Sequence, residues 1–315
     1  MDYKKIIYMD GGLASQMSAY AFLLYLKNKG LDPEVDFIWY KRLGKEKYKL
    51  KEVFDVIVPE YQGSFKYDIY ISKNIIARVL RKTKLLKLLI KIGIIPKLYY
   101  TGKPFWGGII FNVDELPKEA LDNKRETYFW GYWPFGRYFN DIKEKLFEVF
   151  TFPQFTEEEN LKLNRDIELN NSVSIHVRRG DYLNLNDVYA EVSIRYYENA
   201  IRYINEFVLD PKFYVFSDDI QWCKLEFEKL GLTNENTIYV DWNYGAKSYR
   251  DMQLMSLCKH NIISNSGFSA WAAFLNKSKE KIVIEPKEYF TEKWKKQNEE
   301  ADCKYYVSEW IKIRN

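Results

Sequence analysis

Two arginines follow directly after an apolar run in the second half of the chain, in the segment His176-Val-Arg-Arg-Gly-Asp181. The run Val173–Val177 has the composition of a buried strand, so both arginines lie where that strand ends. Their guanidinium groups, Arg178 and Arg179, offer forked donors that match phosphate oxygens. In the alternative interpretation, Asp181 and neighbouring carboxylates hold the arginines in a structural ion network. The sequence leaves both interpretations open.

Adjacent carboxylates, Asp218 and Asp219, follow a second apolar run that ends at Ser217. Carboxylate oxygens bind divalent metals, and they also accept hydrogen bonds from the amide edge of a guanine base. Ser and Asp are in addition the preferred residues at a helix N-terminus. For this segment taken alone, helix capping is the favoured interpretation.

A third polar segment, Ser264–Ser269, stands between a short apolar run and a helical pattern. Small hydroxyl side chains and free backbone N–H groups at a helix N-terminus form an anion site, although capping alone again explains the segment. Three such clusters at three strand ends of one sheet would together form a pocket for a nucleoside diphosphate. The residues of the third cluster that we assign to this pocket are Asn265, Ser266, Phe268 and Ser269.

A glycine pair, Gly11 and Gly12, follows the first apolar run of the chain, with Asp10 before it and Gln16 after it. The spacing is neither the Gly-x-Gly-x-x-Gly dinucleotide fingerprint nor a P-loop, so neither NAD nor ATP binding is indicated. Two interpretations fit: a loop that approaches the same ligand closely, and a tight turn between a strand and a helix.

Alternating strands and helices must position these residues. The first forty residues predict a strand at Lys5–Met9, a helix at Ser15–Lys29 and a strand at Glu34–Trp39, followed by short elements at Lys51–Val58 and Tyr67–Ile71. In the second half, the predicted strands are Val173–Val177, Phe213–Ser217, Thr237–Asp241, Asn261–Ser264 and Lys281–Glu285. The helices between them are predicted at Ser193–Phe207, Asp219–Leu230, Ser248–Lys259 and Ser266–Asn276. This alternation predicts a parallel, doubly wound sheet, in which ligands bind beyond the carboxyl ends of the strands.

The motifs resemble those of the α-1,2-fucosyltransferases, glycosyltransferase family 11. The matching segments occur in family order from residue 11 to about residue 276, and they are Gly11–Met17, Gly131–Trp133, Arg137–Phe139, His176–Tyr182, Phe216–Asp219 and Cys258–Ser269. The resemblance implies a GT-B type α/β fold with two Rossmann-like doubly wound domains that face a central cleft. It also implies GDP-fucose as the donor, inversion at the anomeric carbon, and no metal or other cofactor.

The same resemblance suggests roles for individual residues. Arg178, supported by Arg179, would stabilise the negative charge on the β-phosphate, and Ser266 and Ser269 would hold the phosphates. His176 with Asp218 or Asp219 would read the guanine. The remaining residues assigned to the donor site are Gly11, Gly12, Gln16, Asn265 and Phe268. Asp10 and Asp181 are the two candidates for a general base.

Three regions follow from this interpretation. Residues 1–160 are expected to form an acceptor-side α/β domain with a basic helical insertion at about 73–97, and residues 161–290 a GDP-sugar-binding Rossmann-like domain. Residues 291–315 are expected to form a helical tail that packs back on the N-terminal domain.

Several positions depart from the family pattern. Ala14, Ser15 and Ala270 replace residues that the family motifs usually contain, and Pro134-Phe135 interrupts the mid-chain segment. The acceptor, expected to be the 2-hydroxyl of a terminal galactose in a surface polysaccharide of O-antigen type, therefore stays open, as does the deoxysugar. Three other classes fit parts of the sequence: a metal-dependent GT-A transferase that uses Asp218 and Asp219, a non-catalytic carbohydrate- or nucleotide-binding protein, and a nucleic-acid-binding protein, which is the least favoured.

The charge of the chain is concentrated in one segment. Lys and Arg number 48 against 44 Asp and Glu, and eight basic residues with no acidic one lie between Lys73 and Lys97. Helical spacing predicts two short amphipathic helices or one broken helix there, either packed as a solvated hairpin or in contact with anionic lipid. Three widely spaced cysteines and the early Asp10 indicate a cytoplasmic protein, peripheral on the membrane if its acceptor is lipid-linked.

Overall fold

The structure is a computed structural model in which the chain forms two compact α/β units. It describes residues 4–44, 48–63, 75–95, 97–100, 109–110, 116–122, 126–131, 133, 135–180, 182, 185–297 and 307–314. The first unit comprises Met1–Val149 and Lys295–Tyr306, and the second comprises Phe150–Trp294 and Val307–Asn315. The main segment of the first unit ends at Val149, eleven residues before the predicted end of the first region at residue 160.

The first unit is built on a parallel sheet of five strands in the order β2-β1-β5-β3-β4. The strands are β1 (Lys5–Tyr8), β2 (Pro33–Asp36), β3 (Lys97–Tyr100), β4 (Ile109–Ile110) and β5 (Thr127–Trp130). β1 is buried throughout, and the ammonium group of Lys5 donates to the Asp122 carbonyl at 2.6 Å and to Thr127 Oγ1 at 3.1 Å. These two bonds give the buried ammonium group partners inside the unit.

Short helices and aromatic packing complete the first unit. Its α-helices are Leu13–Asn28, Ile38–Leu43, Leu50–Phe54, Ile75–Lys82, Lys84–Lys91, Lys118–Leu121, Phe135–Tyr138 and Lys143–Val149. Phe22 stacks on Trp133 with 3.5 Å between the ring centroids, so the tryptophan of the mid-chain motif is a core residue. The predicted strand Glu34–Trp39 ends at Asp36, because Asp36 Oδ1 accepts from the Ile38 backbone N–H and a helix begins there. The predicted element Tyr67–Ile71 lies outside the described residues.

The second unit is built on a parallel sheet of six strands in the order β11-β10-β9-β6-β7-β8. The strands are β6 (Asn171–Val177), β7 (Pro211–Ser217), β8 (Thr237–Val240), β9 (His260–Ile262), β10 (Val283–Pro286) and β11 (Ile311–Ile313). Its helices are Glu158–Leu169, Ile194–Phe207, Ile220–Glu228, Tyr249–Leu257 and Gly267–Leu275, and a further helix, Glu292–Gln297, follows β10. The predicted doubly wound parallel sheet is confirmed.

The order of these strands places a switch point beside β6. From β6 the chain runs outward through β7 and β8, and it then returns to the other side of β6 to form β9, β10 and β11. In open parallel sheets, ligands bind in the crevice outside the carboxyl ends of the strands at such a reversal. The polar residues that follow β6 and β9 therefore lie where sheets of this kind bind their ligands.

The predicted helical tail, 291–315, is only partly correct. Glu292–Gln297 is a helix, but Ile311–Ile313 is a strand that pairs in parallel with β10 of the second unit rather than packing on the first. Ile311 and Ile313 both pack against the core of the second unit, while Lys312 between them is exposed. This alternation has the period of a strand and not of a helix.

Candidate functional site

Three polar segments meet at one edge of the second sheet, because β6 pairs with β7 on one side and with β9 on the other. His176 to Arg179 span the end of β6, Ser217 ends β7 and is followed by Asp218 and Asp219, and Ser264 to Ser269 follow β9. The structure therefore brings together the three clusters that the sequence placed at strand ends.

His176 joins β6 to the segment after β9. Its Nδ1 lies 2.9 Å from Ser264 Oγ, and its ring centroid lies 5.7 Å from that of Phe268. Burial, and then the neighbouring Arg178 guanidinium, lowers the pKa of His176 to about 3. The imidazole is therefore neutral at neutral pH, so this side chain forms hydrogen bonds but supplies no charge.

The two arginines after β6 are held by the two carboxylates after β7. Arg178 Nη1 lies 2.9 Å from Asp218 Oδ2, and Arg179 Nε lies 3.3 Å from Asp219 Oδ2. The Arg178 guanidinium also lies 5.5 Å from the ring centroid of Tyr182. About a third of the Arg178 side chain, 33%, stays exposed. These contacts form the ion network considered for the arginines, and part of the Arg178 side chain remains accessible to a ligand.

Asp218 and Asp219 each bind a backbone N–H group as well as an arginine side chain. Asp218 Oδ1 accepts from the backbone N–H of Arg179 at 2.9 Å, and Asp219 Oδ1 accepts from the Trp222 backbone N–H at 3.2 Å, which caps the helix Ile220–Glu228. Every oxygen of the two carboxylates therefore has a partner within the protein. The capping role predicted for the segment is confirmed at Asp219.

Gly180 and Trp222 also help to hold the two arginines, and neither residue was assigned a role from the sequence. A Cβ at position 180 would lie 2.8 Å from Asp218 Oδ2, so a larger residue would push the carboxylate away from Arg178. The Trp222 ring lies 4.1 Å from the Arg179 guanidinium, a cation–π contact. The signal for Trp222 was its place three residues after Asp219, where a capped helix turns its first side chains back toward the cap.

The segment after β9 forms the beginning of the helix Gly267–Leu275. Ser266 Oγ caps this helix by accepting from the Phe268 backbone N–H at 3.3 Å, and Ser269 Oγ donates to the Ser266 carbonyl at 3.3 Å. Asn265 Nδ2 donates to the carbonyls of Ala190 and Tyr289 at 2.8 and 3.1 Å. The hydroxyls are thus committed to the helix start, and the positive end of the helix dipole lies next to the end of β6.

The glycine loop lies in the first unit and is fastened by Gln16. Gln16 is buried, its Oε1 accepts from the backbone N–H groups of Lys49 and Leu50, and its Nε2 donates to the Gly11 carbonyl. Gly11 has a φ of 75°, and a Cβ there would lie 2.8 Å from Ser15 Oγ. Gly12 precedes the helix Leu13–Asn28, and a Cβ added there would meet no other atom within 4 Å. Gln16 therefore shapes this loop.

Asp10 precedes the glycine loop and has an unusual acidity. Its Oδ2 accepts from the indole N–H of Trp130 at 3.0 Å. Burial raises the pKa of Asp10 to about 6, against the opposing effect of the Trp130 hydrogen bond. A carboxyl group with such a pKa takes up and releases protons near neutral pH, as a general base must. The other candidate base, Asp181, lies outside the described residues.

Two further findings concern metals and membranes. Among the residues that the structure describes, no three His, Cys, Asp or Glu side chains are grouped so that they could hold a metal ion. In the same residues, no helix is long and apolar enough to cross a membrane.

Comparison with known proteins agrees with this architecture. The model of the family described as glycosyl transferase family 11 matches residues 110–314. An alpha-1,2-colitosyltransferase of Escherichia coli is 32% identical over 292 residues, which cover 90% of this chain and 91% of that protein. The O-antigen biosynthesis glycosyltransferase WbnK of Escherichia coli is 40% identical over 124 residues, or 38% of this chain and 39% of that protein. The galactoside alpha-(1,2)-fucosyltransferase 2 of Gorilla gorilla gorilla is 26% identical over 155 residues, or 47% and 44% of the two chains.

Two parallel-sheet α/β units in one chain agree with the predicted fold of the GT-B type. The chain belongs to glycosyltransferase family 11, and the resemblance of its motifs to this family is confirmed.

Replacing Asp218 by Asn tests whether the Asp218 carboxylate positions the Arg178 guanidinium. The amide keeps an acceptor but removes the charge that fixes the Arg178 guanidinium, so we expect kcat for glycosyl transfer to fall by about tenfold or more, the worth of one charge-assisted hydrogen bond. Asp166→Asn is the matched control, because Asp166 makes a similar contact of 2.8 Å with Lys212, which lies at the opposite end of β7. An equal loss in both variants, or no loss in Asp218→Asn, would contradict the assignment.

Proposed function

We propose that the chain transfers L-fucose from GDP-fucose to a galactose-containing glycan, with inversion at the anomeric carbon and without a metal. The observation that carries the proposal is the partly exposed Arg178 at the switch point between β6 and β9. A second candidate donor is a related GDP-deoxysugar, because the relative named as a colitosyltransferase aligns with 90% of the chain.

The proposed donor site uses the three strand ends together. The diphosphate lies between the Arg178 guanidinium and the N-terminus of the helix Gly267–Leu275, where backbone N–H groups and the helix dipole favour an anion. The neutral His176 contributes hydrogen bonds to the base or ribose. Asp218 and Asp219 hold the arginines in place, so we assign them to positioning and not to reading the guanine.

The proposed reaction is a single displacement. An acceptor hydroxyl oxygen forms a bond to the anomeric carbon, the bond from that carbon to the β-phosphate oxygen breaks, GDP leaves, and the hydroxyl proton passes to a base or to water. Negative charge grows on the β-phosphate as the bond breaks. A donor already aimed at that charge is usually the largest single contribution to catalysis, and we assign this role to Arg178.

The setting proposed for this reaction is O-antigen assembly in the cytoplasm, on an acceptor that is lipid-linked. Support comes from the name of the O-antigen relative, and the galactoside relative supports galactose as the accepting sugar. A non-catalytic nucleotide-binding protein would use the same pocket, but it would not release GDP in response to an acceptor.

A panel of donors tests the proposal. GDP-fucose, GDP-colitose and GDP-mannose are each offered with a β-galactosyl acceptor, with and without EDTA, and the product linkage is read by NMR. We expect one of the two deoxysugar donors to give an α-1,2-linked product with a kcat/KM at least tenfold above that for GDP-mannose, at a rate that EDTA leaves unchanged. Arg178→Lys is the inactive control, because lysine keeps the charge but loses the fork and should retain less than about a tenth of kcat.

The outcomes of the panel are distinct. GDP release without acceptor would show hydrolysis, and the absence of release with every donor would support a binding protein. Loss of transfer in EDTA that Mg²⁺ or Mn²⁺ restores would contradict metal independence.

The pH dependence of transfer tests Asp10 as the base. An ionised carboxylate accepts a proton and a neutral carboxyl does not, so kcat/KM should fall as the pH decreases through about 6. Asp10→Asn should remove this acidic limb. Trp130→Phe removes the hydrogen bond that lowers the pKa of Asp10, so it should move the limb to higher pH. A limb that persists in Asp10→Asn would eliminate Asp10 as the base.

A further inference from the structure

Two consecutive amphipathic helices in the first unit carry basic residues and no acidic ones. We call Ile75–Lys82 and Lys84–Lys91 the paired basic helices. The stretch 75–95 contains no acidic residue, and its basic residues are Arg78, Arg81, Lys82, Lys84, Lys87 and Lys91. The two short helices are one of the two forms that the sequence predicted for this segment.

One face of the paired basic helices is anchored in the protein. Leu86 is buried and packs, together with Ile95 and Leu98, in a core cluster that includes Ile6 of β1 and Tyr128 of β5. Ala77 is also buried. The opposite face is therefore held outward by a packed core.

The outward face exposes an unusual amount of apolar side chain. Of sixteen large apolar residues that are exposed in the described part of the chain, seven belong to this one segment: Ile75, Ile76, Val79, Leu85, Leu88, Ile92 and Ile94. Single exposed apolar residues are ordinary on a protein surface, whereas a concentration of them marks an interaction site.

Cations border this apolar face on both helices. Leu88 follows Lys84 by four residues and precedes Lys91 by three, so the three side chains share one side of the second helix. In the first helix, Val79 stands three residues before Lys82. All three lysines are exposed, and long cationic side chains of this kind extend their charge past neighbouring apolar groups.

We infer that the outward face of the paired basic helices binds the surface of an anionic lipid bilayer. Isoleucine and leucine side chains fit the boundary between headgroups and acyl chains, while the exposed lysines and Arg78 meet the negative headgroups. Neither feature alone selects a bilayer, but a nucleic acid would leave the apolar side chains unmatched. The inference goes beyond the proposed function, because it depends on neither the donor nor the acceptor.

Flotation of the full chain with lipid vesicles tests the inference. Vesicles of phosphatidylcholine alone are compared with vesicles that contain phosphatidylglycerol, at low salt and at 0.5 M NaCl. We expect at least tenfold more protein on the anionic vesicles at low salt, and a partial loss at high salt, since screening weakens the lysine contacts while the apolar contacts persist. Equal recovery on the two kinds of vesicle would overturn the inference.

Matched variants separate the two contributions. Lys87→Glu/Lys91→Glu and Leu85→Ser/Leu88→Ser should each reduce recovery on anionic vesicles by about tenfold, the first by charge and the second by lost burial. The charge control is Lys51→Glu/Lys279→Glu, and the apolar control is Leu169→Ser/Leu209→Ser, all at exposed positions away from this segment. Unchanged binding in the test variants would contradict the inference. If the wild-type chain is a dimer in solution, and Leu85→Ser/Leu88→Ser makes it a monomer without changing vesicle binding, the face is instead an interface between two copies of the chain.

Discussion

Strand β6 pairs in parallel with both β7 and β9, and this double pairing is the constraint on which the site depends. Parallel strands end at the same edge of a sheet, so three loops that are far apart in the sequence meet beside one strand. His176 on β6 thereby reaches Ser264 after β9, and Arg178 just beyond β6 reaches Asp218 after β7. The β6 strand is buried along almost its whole length, and its burial keeps this edge fixed.

The electrostatics of the site follow from that geometry. Two arginines would repel each other in a small space, but each faces its own carboxylate, Asp218 or Asp219, from the neighbouring strand end. The same arrangement keeps His176 neutral, because burial and the Arg178 charge both oppose protonation. The positive charge of the site is therefore concentrated on guanidinium groups of fixed orientation, and a diphosphate would be bound by preorganised donors rather than by mobile ones.

The second unit was largely predictable from its sequence because parallel strands buried on both faces leave continuous apolar runs such as Val173–Val177. Strand β11 was not, since Ile311–Ile313 is too short to show a pattern and is stabilised by pairing with β10. β3 and β5 in the first unit lie in aromatic-rich sequence without clear periodicity.

The candidate site shows the same division between local and long-range information. The residue types at the strand ends were readable, but the sequence could not show that Asp218 forms an ion pair with Arg178, forty residues earlier in the chain. Nor could the sequence show that Gln16 is buried beside the glycine loop, because its partners Lys49 and Leu50 lie far along the chain from it. Pairings of this kind depend on tertiary structure, whereas capping residues such as Ser266 are set by their neighbours.

In our proposal, the edge of the sheet between β6 and β9 binds the diphosphate of the donor, and a crystal structure of the chain with GDP would show whether it does. We expect β-phosphate oxygens about 3 Å from the guanidinium nitrogens of Arg178 and from the first backbone N–H groups of the helix Gly267–Leu275. A well-ordered GDP bound elsewhere, with the end of β6 free of ligand, would contradict it.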